Sequence, residues 1–234
     1  IMLGTGIIIF LILISIALFF YSQKRIQKTQ AEKQIHLERT QAIIEGEEQE
    51  RERLSRELHD GVGQLLAGVK LNLNAIGIND PNTIDLLEKS ISEIRNISHD
   101  LLPEELKNKD LKEAIEKLCS KYEGVNQFQI KFNSSPLPKL QTNTKKHIYR
   151  IVQELLSNGI KHSQAQKFQI GLKSIDNLLI LSYRDNGKGI SGKVLELSTG
   201  IGWRNILARL EILSGKVSLD NTNQGTQLSF KFPI

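Results

Sequence analysis

The chain has 234 residues, of which 39% are hydrophobic and 24% charged, and its formal net charge is +5. This composition excludes a wholly disordered chain and suffices for one or two folded domains. Basic and acidic residues are mixed along the chain, with no arginine-rich stripe among aromatic residues, so direct nucleic-acid binding is disfavoured.

An apolar run opens the sequence. Residues 1–21 carry no charged side chain, and about 21 helical residues span roughly 30 Å of hydrocarbon, so they predict one transmembrane helix. A buried core helix is the alternative, but only Thr5 and Ser15 interrupt the run.

Because Ile1 rather than Met comes first, we expect a piece of a longer protein. The next basic residues place the remainder in the cytoplasm, below the inner membrane: Lys24, Arg25, Lys28 and Lys33.

Residues 22–50 predict a helix that continues out of the membrane. They are rich in Gln, Glu, Lys and Arg and contain no Pro. Their apolar positions are sparse, so such a helix is stable only when it is paired. We therefore expect a coiled-coil signalling helix between two subunits.

Residues 51–104 predict an antiparallel helical hairpin. The Gly, Asn and Pro content of residues 77–82 indicates a turn, and Pro103 marks the end of the second helix. Two helices with one apolar stripe each bury little surface alone, so a dimeric four-helix bundle, and hence a homodimer, is expected. The stripe of the first helix, counted at roughly 100° per residue, contains Leu54, Leu58, Val62, Leu65, Val69, Leu73 and Ile76.

His59 lies on the flank of that stripe. Asp60 follows it directly, and Gln64 is one α-helical turn from Asp60. An imidazole beside a carboxylate suits a nucleophile, whereas a surface histidine in a charged helix is the ordinary interpretation of these residues alone. The motifs farther along the chain decide between the two.

From residue 105 to residue 234 the pattern changes to alternating helices and short strands. This alternation predicts a separate α/β domain. We expect helices at 111–122 and 144–160 and a third that ends at Ser214, with Gly215 as its C′ residue. Strands are expected at 128–132, 167–174, 177–184, 216–220 and 226–232.

Three short motifs in this domain suit a nucleotide with a metal ion. Glu154 and Asn158 lie one helical turn apart, and a carboxylate with a carboxamide suits hydrated Mg²⁺. Glycines follow a strand at residues 185–190 and precede a helix at 199–202, where backbone N–H groups can hold phosphate. Residues 187–192 also match G-x-G-x-x-G, but no helix opens at the third glycine, so a dinucleotide fold is rejected.

With these motifs the chain resembles a bacterial two-component sensor histidine kinase. Residues 57–64 are similar to the H box of the subfamily that reads H-D-x-x-x-Q, with nitrate/nitrite sensors and a membrane-thickness thermosensor. The C-terminal domain resembles the GHKL-type ATP-binding domain, a Bergerat-type α/β sandwich shared with Hsp90-type chaperones, type II topoisomerases and MutL proteins. Its matching residues are Glu154, Asn158, Lys161 and His162 in the N box, then Asp185, Gly187, Gly189, Gly200, Gly202, Gly225 and Thr226.

The resemblance implies ATP and Mg²⁺ as cofactors. It implies that Asn158 coordinates Mg²⁺ and that Asp185 accepts a hydrogen bond from the adenine amino group. Thr226 would help to close the adenine pocket. The remaining N-box residues would lie near the metal and the phosphates: Glu154, Lys161 and His162.

The resemblance also gives the H-box residues separate roles. His59 would receive the γ-phosphoryl group of ATP, and Asp60 would hold or deprotonate the other ring nitrogen. Gln64 would orient a water that hydrolyses the aspartyl phosphate of the partner. That partner is a cytoplasmic response regulator with a receiver domain, for which a helix-turn-helix output domain is one option.

Two alternatives and two departures stand beside this interpretation. The alternatives are a GHKL-type ATPase and a decayed scaffold, in which His59 is not phosphorylated. Gly159 lies inside the N-box helix where alanine is commoner, at a cost near 1 kcal/mol if the site is exposed. The lid between Gly189 and Gly200 is short and lacks an aromatic F box.

Overall fold

The computed structural model describes residues 2–78, 80–101, 110–125, 128–190, 200–220 and 225–234. Side chains are described in these ranges except at residues 2–14, 17, 99, 100, 124 and 125. The chain divides into two compact units, residues 1–43 and 44–234, and each is described by itself.

The first unit is helical throughout its described length. It belongs to α1, Met2–Arg56, and its polar side chains pair one turn apart, as in the 2.9 Å hydrogen bond from Gln34 to Glu38. In the part of the chain that the structure describes, no helix is long and apolar enough to cross a membrane. Most of the expected span, residues 1–21, has side chains that lie outside the described set.

The helical hairpin of the second unit contains a segment that the sequence pattern did not predict. Helix α1 ends at Arg56, and Glu57–Gly63 form a π-helix before α2, Gln64–Ala75. Because π-helical hydrogen bonds run from i to i+5, a stripe counted at an α-helical angle was wrong across this segment. Leu65 and Ile76 of that stripe are 71% and 68% exposed in the single chain.

The second helix of the hairpin, α3, covers Pro81–Leu101. Asp80 caps its N-terminus, accepting hydrogen bonds from the Thr83 amide at 2.9 Å and the Thr83 hydroxyl at 2.7 Å. A buried serine pair joins α1 to α3, since the Ser55 and Ser98 hydroxyls lie 2.9 Å apart. The expected end at Pro103 lies outside the described residues.

The C-terminal part folds as an α/β sandwich, as expected. Its five strands form one sheet in the order β1-β2-β3-β5-β4, with β1 and β2 parallel and the other neighbours antiparallel. Alternate side chains of β2, β3 and β5 are buried in the core with the helices. The elements are α4 Leu111–Val125, β1 Gln129–Ser134, α5 Thr142–His162, β2 Lys167–Ile175, β3 Leu178–Asp185, α6 Ile201–Ile212, β4 Lys216–Leu219 and β5 Gln227–Pro233.

The end of α6 differs from the expectation. Ser214, with a φ of 50°, takes the left-handed position that Gly215 was expected to take. The helix thus ends earlier than expected, at Ile212, and the amide of Gly215, the residue after the left-handed one, donates to the Leu210 carbonyl at 2.8 Å. A side chain at Gly215 would lie 2.7 Å from Phe232, so the glycine serves close packing there.

A buried ion cluster joins α1 to α5 and α6 within the second unit. Glu48 accepts from Arg150 and from Arg209, each at 2.8 Å. The arginine side chains are only 5% and 4% exposed. Arg150 also donates to the Leu101 carbonyl at 2.8 Å, and Arg209 to Nδ1 of His147 at 3.3 Å. These bonds distribute two buried positive charges over several acceptors.

The cluster shifts the pKa values of its titratable members. Burial opposes ionisation of Glu48, but hydrogen bonds and charge from both arginines outweigh it and lower its pKa. Burial, together with the charge of Arg209, lowers the pKa of His147 to about 4. His147 is therefore neutral at physiological pH and can accept from the guanidinium.

Candidate functional site

A cavity of about 370 Å³ opens between α5, the end of β3 and the start of α6. It brings together seven of the residues singled out in the sequence: Asn158, His162, Asp185, Gly189, Gly200, Gly202 and Thr226. Glu154 reaches the wall through a hydrogen bond to Asn158. Lys161 and Gly187 are not among the side chains and backbone that line the cavity.

Asp185 is held at the last position of β3 and is 3% exposed. Its Oδ1 accepts from the amides of Gly187 at 2.9 Å and Thr226 at 3.2 Å, and its Oδ2 accepts from the Tyr183 hydroxyl at 3.0 Å. A buried carboxylate with three donors is fixed in orientation. The cavity therefore presents a preset acceptor at its inner end.

The loop before Thr226 depends on a glycine. Gly225 has a φ of 82°, and a side chain there would collide with the Asp185 carbonyl. Because residue 225 has no side chain, the two strands come close enough for the Asp185 amide to donate to the Thr226 carbonyl at 2.9 Å. The glycine thus lets the start of β5 close against the end of β3 beside the carboxylate.

Two polar side chains of α5 meet the start of α6. The Asn158 amide group donates to Oε1 of Glu154 at 3.1 Å, as their spacing on a helix allows. A side chain at Gly202 would overlap the Glu154 carboxylate and lie 3.0 Å from Nδ2 of Asn158. Gly202 therefore permits the close approach of α6, whose N-terminal amides are suited to an anion.

The cavity wall also contains residues that the sequence analysis did not select. Lys188 places an exposed cation at the wall, and its position inside D-N-G-K-G was a usable signal. Tyr183 and Trp203 line the wall as well. Their apolar pattern predicts core positions and indicates no second role for them.

His59 lies in the π-helical segment, with its side chain 62% exposed. Its Nδ1 is 2.8 Å from Oδ1 of Asp60. Because an ionised carboxylate can only accept, this pairing in a neutral imidazole places the proton on Nδ1 and the lone pair on Nε2. Gln64 begins α2 just after the π-helix, four residues from Asp60.

Two family models match the chain in these regions. Residues 50–106 match a family described as "Histidine kinase", and residues 143–234 match "Histidine kinase-, DNA gyrase B-, and HSP90-like ATPase". The chain belongs to the histidine kinase family, with a helical region followed by an α/β ATP-binding domain of that type.

Individual relatives agree with this assignment. The chain is 32% identical over 210 residues to the sensor histidine kinase MctS of Rhizobium johnstonii, covering 83% of this chain and 45% of MctS. It is 28% identical over 205 residues to the oxygen sensor histidine kinase NreB of Staphylococcus carnosus, covering 83% of this chain and 59% of NreB. The chain thus spans about half the length of these curated relatives.

The chain also aligns with solved structures. A histidine kinase domain from Erythrobacter litoralis aligns with a TM-score of 0.49 and 14% identity, covering 80% of this chain and 93% of that domain. The histidine kinase AdeS of Acinetobacter baumannii aligns with a TM-score of 0.47 and 20% identity, covering 76% of this chain and 97% of that chain.

Proposed function

We propose that this chain is the catalytic part of a sensor histidine kinase, which transfers the γ-phosphoryl group of ATP to His59 and then to an aspartate of a response regulator. The observation that carries the proposal is the cavity, where the N-box amide, Asp185 and the glycines of two loops meet. The same chain holds an exposed histidine whose Nδ1 is bonded to Asp60.

The cavity residues divide into an adenine end and a phosphate end. Asp185 would accept from the adenine amino group, with Thr226 closing the pocket beside it. Lys188, His162 and the glycine amides near Gly202 would face the phosphates, where positive charge and N–H donors stabilise negative charge.

Asn158 and Glu154 offer the hard oxygen ligands that Mg²⁺ prefers. Among the described residues, no group of three or more His, Cys, Asp and Glu side chains is arranged to hold a metal ion. Asn158 would hold Mg²⁺ through its side-chain oxygen, with Glu154 beside it. When bound, the ion would neutralise the charge that develops on the transferred group.

The first chemical step would use the lone pair on Nε2 of His59. It forms the N–P bond while the bond between the γ-phosphorus and the β,γ-bridging oxygen breaks, and ADP leaves. Asp60 keeps the proton on Nδ1 and stabilises the imidazolium that results. In the second step the phosphoryl group passes from Nε2 to a carboxylate oxygen of the regulator.

We propose that Gln64 belongs to the reverse activity of the same segment. It would orient a water that attacks the regulator's aspartyl phosphate. The variant Gln64→Ala should retain autophosphorylation and lose regulator dephosphorylation, measured with purified phosphorylated regulator. Loss of both activities would assign Gln64 a structural role instead.

We propose that the active form is a homodimer built through the hairpin, residues 51–104. A single chain leaves Leu65, Val69 and Ile76 of the apolar stripe between 46% and 71% exposed, and a second copy would bury them in a four-helix bundle. Residues 22–50 would pair as the coiled-coil connector, with 105–234 as the catalytic domain.

We also propose a single-pass inner-membrane location through residues 1–21, with the catalytic part cytoplasmic. The exposed aromatic side chains at the end of this segment, Phe19, Phe20 and Tyr21, are 58–69% exposed and suit a membrane interface. The signal would then arrive along α1.

Incubation of the chain with γ-labelled ATP and Mg²⁺ tests the central proposal. We expect label on the protein that is acid-labile and base-stable and is absent from His59→Gln. His36→Gln, which removes a histidine of α1, is the matched control and should keep the label. Release of free phosphate with no labelled protein would overturn the proposal in favour of a simple ATPase.

A further inference from the structure

Tyr183 has features that its position in the core does not require. It is 3% exposed, and its hydroxyl donates a 3.0 Å hydrogen bond to Oδ2 of Asp185. Tyr183 and Asp185 are two residues apart on β3, so both side chains leave the same face of the sheet. The tyrosine ring also lines the cavity.

The bonds to Asp185 leave one acceptor position open. An ionised carboxylate has about four lone-pair sites, and the Gly187 and Thr226 amides fill two of them on Oδ1. The Tyr183 hydroxyl fills one on Oδ2. The remaining site is the second lone pair of Oδ2. Because the Tyr183 hydroxyl occupies the first, it determines the direction from which a ligand can donate to this oxygen.

Helix α5 is shaped around that hydroxyl. A side chain at Gly159 would overlap the Tyr183 oxygen and lie 2.8 Å from Cε1 of Phe168. Alanine at this position would therefore displace the hydroxyl from Asp185. The glycine that costs helix stability provides the space in which the hydroxyl reaches the carboxylate.

We propose that Tyr183 is a positioning residue for nucleotide selection, which acts by orienting Oδ2 of Asp185 toward the adenine amino group. Gly159 supports it by leaving room for the hydroxyl. This inference rests on the proposed function, in which Asp185 binds adenine. Burial and the charge of Asp185 raise the pKa of Tyr183, which keeps the hydroxyl protonated as a donor.

Calorimetric titration of the full chain with ADP tests the proposal. Tyr183→Phe should weaken ADP binding about tenfold, because a hydrogen bond to a charged group is lost. Its affinity for purine riboside diphosphate, which lacks the amino group, should change less, so the preference for ADP falls. Tyr149→Phe removes another buried tyrosine hydroxyl, outside the cavity wall, and should retain the wild-type affinity and preference.

Kinetic measurements and a double variant distinguish a Tyr183 that orients Asp185 from a Tyr183 that only packs in the core. In autophosphorylation, Tyr183→Phe should raise the KM for ATP and leave kcat at saturating ATP unchanged. Adding Tyr183→Phe to Asp185→Asn should cause little further loss of ADP affinity, because the hydroxyl acts through the carboxylate. Gly159→Ala should weaken ADP binding as Tyr183→Phe does, and thermal unfolding confirms that each variant is folded.

Three results would overturn the inference. Equal affinity of Tyr183→Phe and wild type for ADP would exclude the role, as would additive losses in the double variant or equal losses for both nucleotides. In each case Asp185→Asn would still bind ADP weakly, and the proposed function would stand. Unchanged ADP binding by Asp185→Asn would instead contradict the adenine site itself.

Discussion

The nucleotide cavity and the His59 segment are built in opposite ways. Asp185 is 3% exposed and its carboxylate accepts from three donors, whereas the His59 side chain is 62% exposed and bonded to Asp60. A binding site gains affinity and selectivity from groups that are fixed before the ligand arrives. A phosphoryl carrier must instead be reached by two partners in turn, so exposure is a requirement of its proposed role.

The same contrast occurs along α1. Glu48 faces two buried arginines, but Glu50, two residues later, pairs with exposed Arg53 at 2.6 Å. Residues two positions apart on one helix thus belong to a buried and an exposed charge pair. The following predictions test whether buried and exposed groups differ as this comparison requires.

The largest effect is expected at Glu48. Glu48→Gln leaves two buried guanidinium groups without their anion, and it should lower the free energy of unfolding by about 3–5 kcal/mol. Glu50→Gln, the exposed control, should leave the free energy of unfolding nearly unchanged, because an exposed ion pair is screened by solvent. Urea denaturation followed by circular dichroism measures both. Equal costs would contradict the contrast between the two charges.

The next effect is a loss of stability in acid. The pKa of His147 is about 4 in the folded chain and 6.5 ordinarily, so the unfolded state binds more protons between these values and stability falls as pH falls from 6.5 to 4. The loss should reach about 3 kcal/mol. Glu48, whose pKa is lowered from 4.5, adds a loss below pH 4.5.

Urea midpoints at a series of pH values measure this slope. His147→Gln should flatten the part between pH 6.5 and 4.5 and leave the steeper fall at lower pH. A variant with the wild-type slope would exclude His147 as its source. His36→Gln serves as the control, because this histidine lies outside the cluster.

A substitution of Asp60 tests the exposed His59 segment. Asp60→Asn should slow autophosphorylation about a hundredfold, because a neutral amide stabilises the imidazolium poorly. Its ADP affinity and thermal midpoint should match the wild type, since the pair is exposed and distant in sequence from the cavity residues. A variant that loses ADP binding or unfolds would show that the two regions are not separable.

The smallest effect is expected at the lysines. Lys188 lines the cavity, whereas exposed Lys161 does not. Lys188→Gln should raise the KM for ATP about threefold at low salt and less at high salt, because exposed charges are screened. Lys161→Gln should leave KM unchanged. The reverse pattern would return the phosphate role to the N-box lysine.

The helices and strands of the α/β domain were predictable because the spacing of their apolar residues follows the period of a helix or of a strand. The glycine motifs were predictable too, since close approach and phosphate binding both demand glycine, as at Gly202. These local signals predicted the order of the elements and seven of the residues that line the cavity.

Interactions between distant parts of the chain could not be predicted. Glu48 lies in a run of charged residues that is typical of a solvated helix, and its partners are 102 and 161 residues away. Tyr183 fits the apolar alternation of β3, so its hydroxyl bond was not visible. In the sequence, Gly159 indicated only a cost to helix stability, because the Tyr183 hydroxyl that occupies the space beside it belongs to a strand elsewhere in the chain.

The π-helix at Glu57–Gly63 has a consequence for insertions and deletions. Its i to i+5 bonds hold an additional residue compared with an α-helix. Loss of one residue there could leave an ordinary α-helix and preserve the elements on both sides. The same loss between Glu48 and Arg56 would rotate Glu48 by about 100° relative to the hairpin and away from both arginines. The segment around His59 is therefore where one residue can be lost without rotating the helices on its two sides relative to each other.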